Sequence, residues 1–224
     1  MLKRILCGAT LLCAAGFSSA GVVVQDFTVD RQKTAFTETI NFNLFDDMGG
    51  TRVLESVEFT LLARSSGSAR VENLNATPTN ITATLSTDIT LSDLISGLLA
   101  EAAPSLSRMD RLAGYDGNTD FDGPSGVEFL NLMTNDSAGI IIVDPISLMG
   151  YIGMGTSTAT FGAMASSDVS GGGNLISNFN TFASGDVGVI YTFRDASISV
   201  SEPTQVALLG LGLLALAGFR KVKK

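Results

Sequence analysis

Two-residue alternation of apolar and polar side chains is the feature that most limits what this chain can fold into. Phe36, Glu38, Ile40, Phe42 and Leu44 fall on one side of an extended segment, and Thr37, Thr39, Asn41 and Asn43 on the other. Val53, Val57, Phe59, Leu61 and Ala63 share a side opposite Ser56, Glu58, Thr60 and Arg64. Ile81, Ala83, Leu85, Ile89 and Leu91 alternate with Thr82, Thr84, Ser86, Asp88 and Thr90. Val187, Val189, Tyr191 and Phe193 alternate with Gly188, Thr192 and Arg194. A period of two puts one apolar and one polar face on a strand, the pattern of antiparallel sheets that are wet on one side. Two such sheets cover each other's apolar faces, so the expectation is an all-β domain, an antiparallel β-sandwich or jelly roll.

Gly-, Asn-, Asp- and Ser-rich pieces break the pattern and read as turns. They are Asp46–Gly50, Ser65-Ser66-Gly67-Ser68, Asn135-Asp136-Ser137, Gly171-Gly172-Gly173-Asn174 and Ser184-Gly185-Asp186. One stretch has helical spacing instead. Leu94, Ile95, Leu98, Leu99 and Ala102 follow Ser92 or Asp93 as N-cap and precede Pro104, which predicts a short helix near 92–103.

The two ends have a different character. Lys3 and Arg4, the apolar stretch 5–17 and the small residues Ser18-Ser19-Ala20 read as a signal peptide over 1–20, with signal peptidase cutting between Ala20 and Gly21. Cys7 and Cys13 leave with it, so the mature domain, 21–200, holds no disulfide. At the other end, Ser201-Glu202-Pro203 precedes an uncharged run from Val206 to Phe219 and the basic residues Arg220, Lys221, Lys223 and Lys224. The run predicts a short transmembrane helix over 204–219, with the basic end kept on the cytoplasmic side.

Six of the 14 basic residues lie in the first four and last five positions, whereas all 22 acidic ones lie in 21–203, which leaves that stretch at −14. Such a surface argues against nucleic-acid partners. With no His anywhere, Ser-His-Asp and Cys-His arrangements cannot be built, and zinc lacks its usual ligands. Gly171-Gly172-Gly173 has no Gly-Lys-Ser/Thr after it and is no phosphate loop. The site candidate is the loop 116–126. Asp116, Asn118, Asp120 and Asp122 supply oxygens at alternate positions before Gly123, like the first half of a calcium loop. The bidentate glutamate is due at Phe129, while Glu128 comes one place early, and aspartates before glycines also make ordinary turns. No other cofactor is expected.

The C-terminal segment resembles the PEP-CTERM sorting signal, a Pro-Glu-Pro motif followed by a short transmembrane helix and a basic cluster; here Ser201 replaces the first proline. That resemblance implies processing near the motif by an exosortase, a membrane protease. The middle resembles the choice-of-anchor E domain. The resemblance runs through Phe45-Asp46 with Gly50, Leu54 to Leu62, and Val71-Glu72-Asn73. It continues in Asp116 to Gly126, Gly153-Met154-Gly155, Gly173-Asn174 and Val187 to Phe193. It implies a β-rich surface domain and carries over no catalytic residue.

The sequence thus leads to an exported, non-enzymatic structural or adhesive protein. It is expected to be membrane-anchored during sorting, then to stay at the cell surface, in the outer envelope or in an exopolysaccharide matrix. A carbohydrate-binding module, with or without calcium, and a glycan-active enzyme are the alternatives. No Trp and three Tyr leave few flat rings on which a sugar could stack.

Overall fold

The computed structural model describes residues 20–196, and these are almost entirely antiparallel β-sheet. The strands are β1 (Ala20–Lys33), β2 (Phe36–Asn43), β3 (Arg52–Asn73), β4 (Thr79–Asp93) and β5 (Gly97–Ala102). They continue with β6 (Ser105–Leu112), β7 (Gly126–Ile142), β8 (Thr156–Ala165), β9 (Asp168–Gly171) and β10 (Leu175–Asp195). One helical turn, α1 (Pro145–Met149), lies between β7 and β8.

The first sheet has the order β1-β10-β3-β7 and the second β2-β8-β4-β5. β6 and β9 continue the second sheet along the other half of β4. β5 and β6 are therefore one strand line broken at Ala103-Pro104, and β8 and β9 one line broken at Ser166-Ser167. Counted that way, eight strand lines nest in pairs: first with last, second with seventh, third with sixth, fourth with fifth. This is a long hairpin rolled into two facing sheets, the jelly-roll order.

The alternating apolar faces meet between the sheets, but they form two cores. The larger gathers Phe42, Phe59, Leu61, Ile89, Leu91, Phe161, Val189 and Tyr191; the smaller gathers Ala69, Val71, Ile81, Ala83, Leu85, Leu112 and Leu132. Between them the inward positions are polar: Ser65 on β3, Thr87 on β4 and Thr181 on β10, all buried. Thr181 meets the Ser167 hydroxyl at 3.2 Å, while Ser65 Oγ and Thr87 Oγ1 have no partner. Here, too, β3 and β10 leave no room for a side chain at Gly67. A Cβ on Gly67 would lie 2.1 Å from the Asn180 carbonyl oxygen. We call this belt the waist.

The waist corrects three expected turns. Ser65–Ser68, Asn135–Ser137 and Ser184–Asp186 do not reverse the chain; they lie inside β3, β7 and β10. They are also neighbours, since Arg64 pairs with both Asn135 and Ser184, and Ala63 with Asp136 and Gly185. Small residues there suit close approach rather than chain reversal: Gly185 lies under the Phe161 ring and Gly67 against the Asn180 carbonyl, while residues 135–137 stay exposed on β7. The expected helix near 92–103 is also corrected. Residues 94–96 form a turn and Gly97–Ala102 is β5, an edge strand on β4. Asp93 caps the turn by accepting from the Ile95 and Ser96 amides (3.1 and 2.7 Å), and Gly97 takes φ +78°. Leu99 and Ala102 reach the core, while Leu94 stays in solvent. Val53 leaves the expected buried face to Leu54 because the β3–β10 register shifts at Thr192/Phe193. Asp46–Gly50 and Gly171–Asn174 lie at chain reversals as expected.

Candidate functional site

The two ends of the sandwich are chemically unlike. One pole carries the start of β1 and the end of β10, with Ala20 paired to Arg194 and Asp195 to Arg52. Its connections are 44–51, 94–96 and 143–155, tied together by the Phe45–Ile152 bridge and by the Tyr151 hydroxyl, which donates to Asp93 Oδ2 at 2.7 Å. Burial raises the Tyr151 phenol well above its ordinary range and keeps it a donor. Around this knot apolar side chains stand in solvent: Leu94 (94% exposed), Met154 (92%), Ile146 (81%) and Met149 (71%).

The opposite pole is polar and is built from three connections, 74–78, 113–125 and 172–174. Asn73, fully buried at the end of β3, holds them. Its amide donates to the Thr77 and Ala113 carbonyls (3.0 and 2.6 Å), and its Oδ1 accepts from the Asn75 backbone and side chain (3.0 and 2.7 Å). Asn75 Oδ1 in turn accepts from the Asn174 amide at 2.9 Å. Three segments far apart in sequence, Val71–Asn73, Asp116–Gly126 and Gly173-Asn174, thus form one structure.

The predicted acidic loop lies here, exposed. Asp116 Oδ1 accepts from the Asn118 amide (2.9 Å), Asp120 Oδ1 from that of Asp122 (3.1 Å), and Asp122 Oδ1 from that of Gly123 (2.8 Å). These are turn-forming bonds; Gly117, Phe121 and Gly123 take φ of +103°, +61° and +67°. Asp116, Asn118, Asp120 and Asp122 share the loop but do not converge. Among the described residues no three acidic, His or Cys side chains are grouped to hold a metal. Glu128, one place early for the calcium pattern, bonds Arg70 instead.

Glu72 is the residue the sequence reading passed over. Its neighbour Val71 faces the smaller core, so Glu72 points to the outer face of the first sheet, where a glutamate normally meets water. It is nevertheless 0% exposed. Its register partner is Gly126, and the loop folds back so closely that a Cβ on Gly126 would meet the Asp122 amide nitrogen at 2.3 Å. Glu72 Oε2 accepts from the Phe121 amide at 2.7 Å, while Oε1 is buried with no partner.

The outer face of the first sheet also bears a groove of about 870 Å³, where Gly188, Thr60 and Gly139 form a low row across β10, β3 and β7. Asp26, Thr28, Glu58, Ser137 and Asp186 line it. Asp186 is bonded to Arg64, which holds its carboxyl below the usual range. Of the three tyrosines only Tyr115, in the acidic loop, is exposed.

Of the remaining predicted residues, Ala20 and Gly21 open β1, with the Phe193 ring over Gly21. The rest of the signal peptide, the motif Ser201, Glu202 and Pro203, the helix 204–219 and the basic residues Arg220, Lys221, Lys223 and Lys224 lie outside the described residues. Among the described residues no helix is long and apolar enough to cross a membrane.

Comparison with protein-family models and with curated proteins finds no match. Among solved structures the chain aligns with infectious bursal disease virus particles. The Gx strain aligns at 11% identity over 81% of this chain and 37% of that one, with a TM-score of 0.20. The T13 particle aligns at 13% identity over 77% and 39%, with a TM-score of 0.13. The chain spans well under half of those proteins, and similarity at this level carries no argument.

Proposed function

We propose that this chain is an exported, surface-sorted protein with a structural or adhesive rather than catalytic role. The reading combines the two terminal segments with the resemblance to choice-of-anchor E and PEP-CTERM proteins. The observation that carries it is the polarity of the domain. The strands next to both terminal segments end at the pole with exposed Leu94, Ile146, Met149 and Met154, and the acidic loop is at the other. Exposed apolar clusters on a soluble fold mark contact surfaces.

On this reading signal peptidase removes 1–20, the segment 204–219 holds the protein in the membrane, and an exosortase-type enzyme then cuts near Ser201-Glu202-Pro203. The mature protein stays at the surface, in the outer envelope or in an exopolysaccharide matrix. The test is fractionation of the native host with intact-mass measurement. The expected product begins at Gly21 and ends near Pro203. Protein in the cytoplasm still carrying residues 1–20 would refute export, and an exported form still ending at Lys224 would refute processing.

The groove on the first sheet favours a second reading, polysaccharide binding, because hydroxyls of Thr28, Thr60 and Ser137 stand beside the carboxylates of Asp26 and Glu58. Retention on a glycan array, lost in Gly188→Phe, would support it; release of reducing ends would point to a glycan-active enzyme.

A further inference from the structure

Glu72 has a problem that the rest of the fold does not solve. A carboxylate taken wholly out of water needs compensation on both oxygens. Here one oxygen has it and the other does not. Oε2 accepts the Phe121 amide and Oε1 has nothing. The basic side chain two positions away on the same face, Arg70, is engaged by Glu128.

A hard cation would compensate the unpaired oxygen, because it binds to oxygen lone pairs and needs no acceptor of its own. The oxygen-rich loop lies directly over this point. The Asp122 carbonyl oxygen packs on Gly126, the register partner of Glu72, at 2.6 Å from where a Cβ would stand. The Asp116 carboxylate reaches the next turn, 3.0 Å from a Cβ on Gly123.

We propose that Glu72 is the buried anchor of a divalent-cation site of calcium type, completed by oxygens of Asp116 and Asp122 and by water. In the conformation described, the loop carboxylates serve loop amides. The site therefore assembles by a small shift of the loop over a fixed Glu72. This differs from the linear loop pattern in the sequence, because the decisive ligand comes from β3, far from the loop in the chain. The proposal does not depend on where the protein is delivered.

The test is thermal unfolding of the full-length protein in mild detergent, in EDTA, in about 5 mM MgCl₂ and in about 5 mM CaCl₂, a range that suits extracellular calcium modules. Wild type should gain about 5 °C or more with calcium, and less with magnesium. Glu72→Gln should gain nothing with calcium. Asp116→Asn, which keeps an Oδ1 to accept the Asn118 amide, should weaken the apparent calcium affinity at least tenfold. Terbium luminescence gives an independent readout, because exposed Tyr115 lies in the loop and can sensitise a bound lanthanide. Emission should appear on adding terbium, fall as calcium displaces it, and vanish in Tyr115→Phe. The proposal is overturned by no calcium shift in wild type, by an equal shift in Glu72→Gln, or by an unchanged affinity in Asp116→Asn.

Discussion

Replacing Thr87 by valine should make this protein more stable, against the usual direction of core substitutions. Thr87 is 0% exposed and sits on the inner face of β4 between Leu85 and Ile89. Its hydroxyl has no hydrogen-bond partner. Valine has the same branched shape and the same preference for strands, so the exchange swaps one buried O–H for a methyl group without repacking. An unpaired buried hydroxyl costs about 1–3 kcal/mol, and the methyl adds a favourable transfer contribution of up to about 0.8 kcal/mol. The expected gain is therefore about 1–3 kcal/mol, or a rise in Tm of about 2–10 °C for a domain of this size. Thermal unfolding by circular dichroism measures it, and the urea midpoint should rise with an unchanged slope. A lower Tm in the valine variant would refute the reasoning. It would mean that the hydroxyl is satisfied by a resident water and that the waist is a wet seam rather than an unpaired one.

Gly67→Ala should act in the opposite sense, because its Cβ would fall 2.1 Å from the Asn180 carbonyl oxygen and force β3 from β10; a loss of about 1–3 kcal/mol or more is expected, visible as a lower Tm and faster proteolysis within β10. Tyr151→Phe leaves Asp93 Oδ2 and Ser96 without their bond to the phenol inside the apolar pole, and should cost about 1–3 kcal/mol by denaturant unfolding. For Asp186, whose folded pKa is lowered by its bond to Arg64, the pair contributes stability above the unfolded pKa that is lost as pH falls through the folded one. Both side chains are 43% exposed, so screening limits the effect to under about 1 kcal/mol. Arg64→Met should accordingly lower Tm slightly at pH 7 and not at all once pH is below the range in which Asp186 titrates.

The buried faces of β2, β4 and β10 were legible because a strand with one wet face writes its fold as an alternation of period two. Val53 escaped because one extra residue at a bulge exchanges the two faces, which no periodicity reveals in advance. The three misread turns share a cause: Ser, Asn, Asp and Gly favour chain reversal, and they equally suit a place where two strands approach and a core is interrupted. Only pairing across β3, β7 and β10 separates these meanings. Helical spacing at Leu94–Ala102 lost to the capping of a tight turn by Asp93 and to pairing with β4. In the acidic loop the residues themselves were visible and their lack of convergence was not. Glu72 was invisible as a site residue because a glutamate on the polar side of a strand is ordinary. It becomes unusual only when a loop from elsewhere in the chain seals it.

The nested pairing of the strand lines also sets an order in time. The innermost pair, β4 with β5, closes across a short local turn, whereas the outermost joins Ala20 to Arg194. Loop closure makes such distant contacts slow to form. Assembly can therefore start at the Asp93–Gly97 turn and zip outward, and β1 has no partner on the first sheet until β10 is available. A chain made from its N-terminus therefore carries β1 without its sheet partner through the synthesis of every strand up to β10.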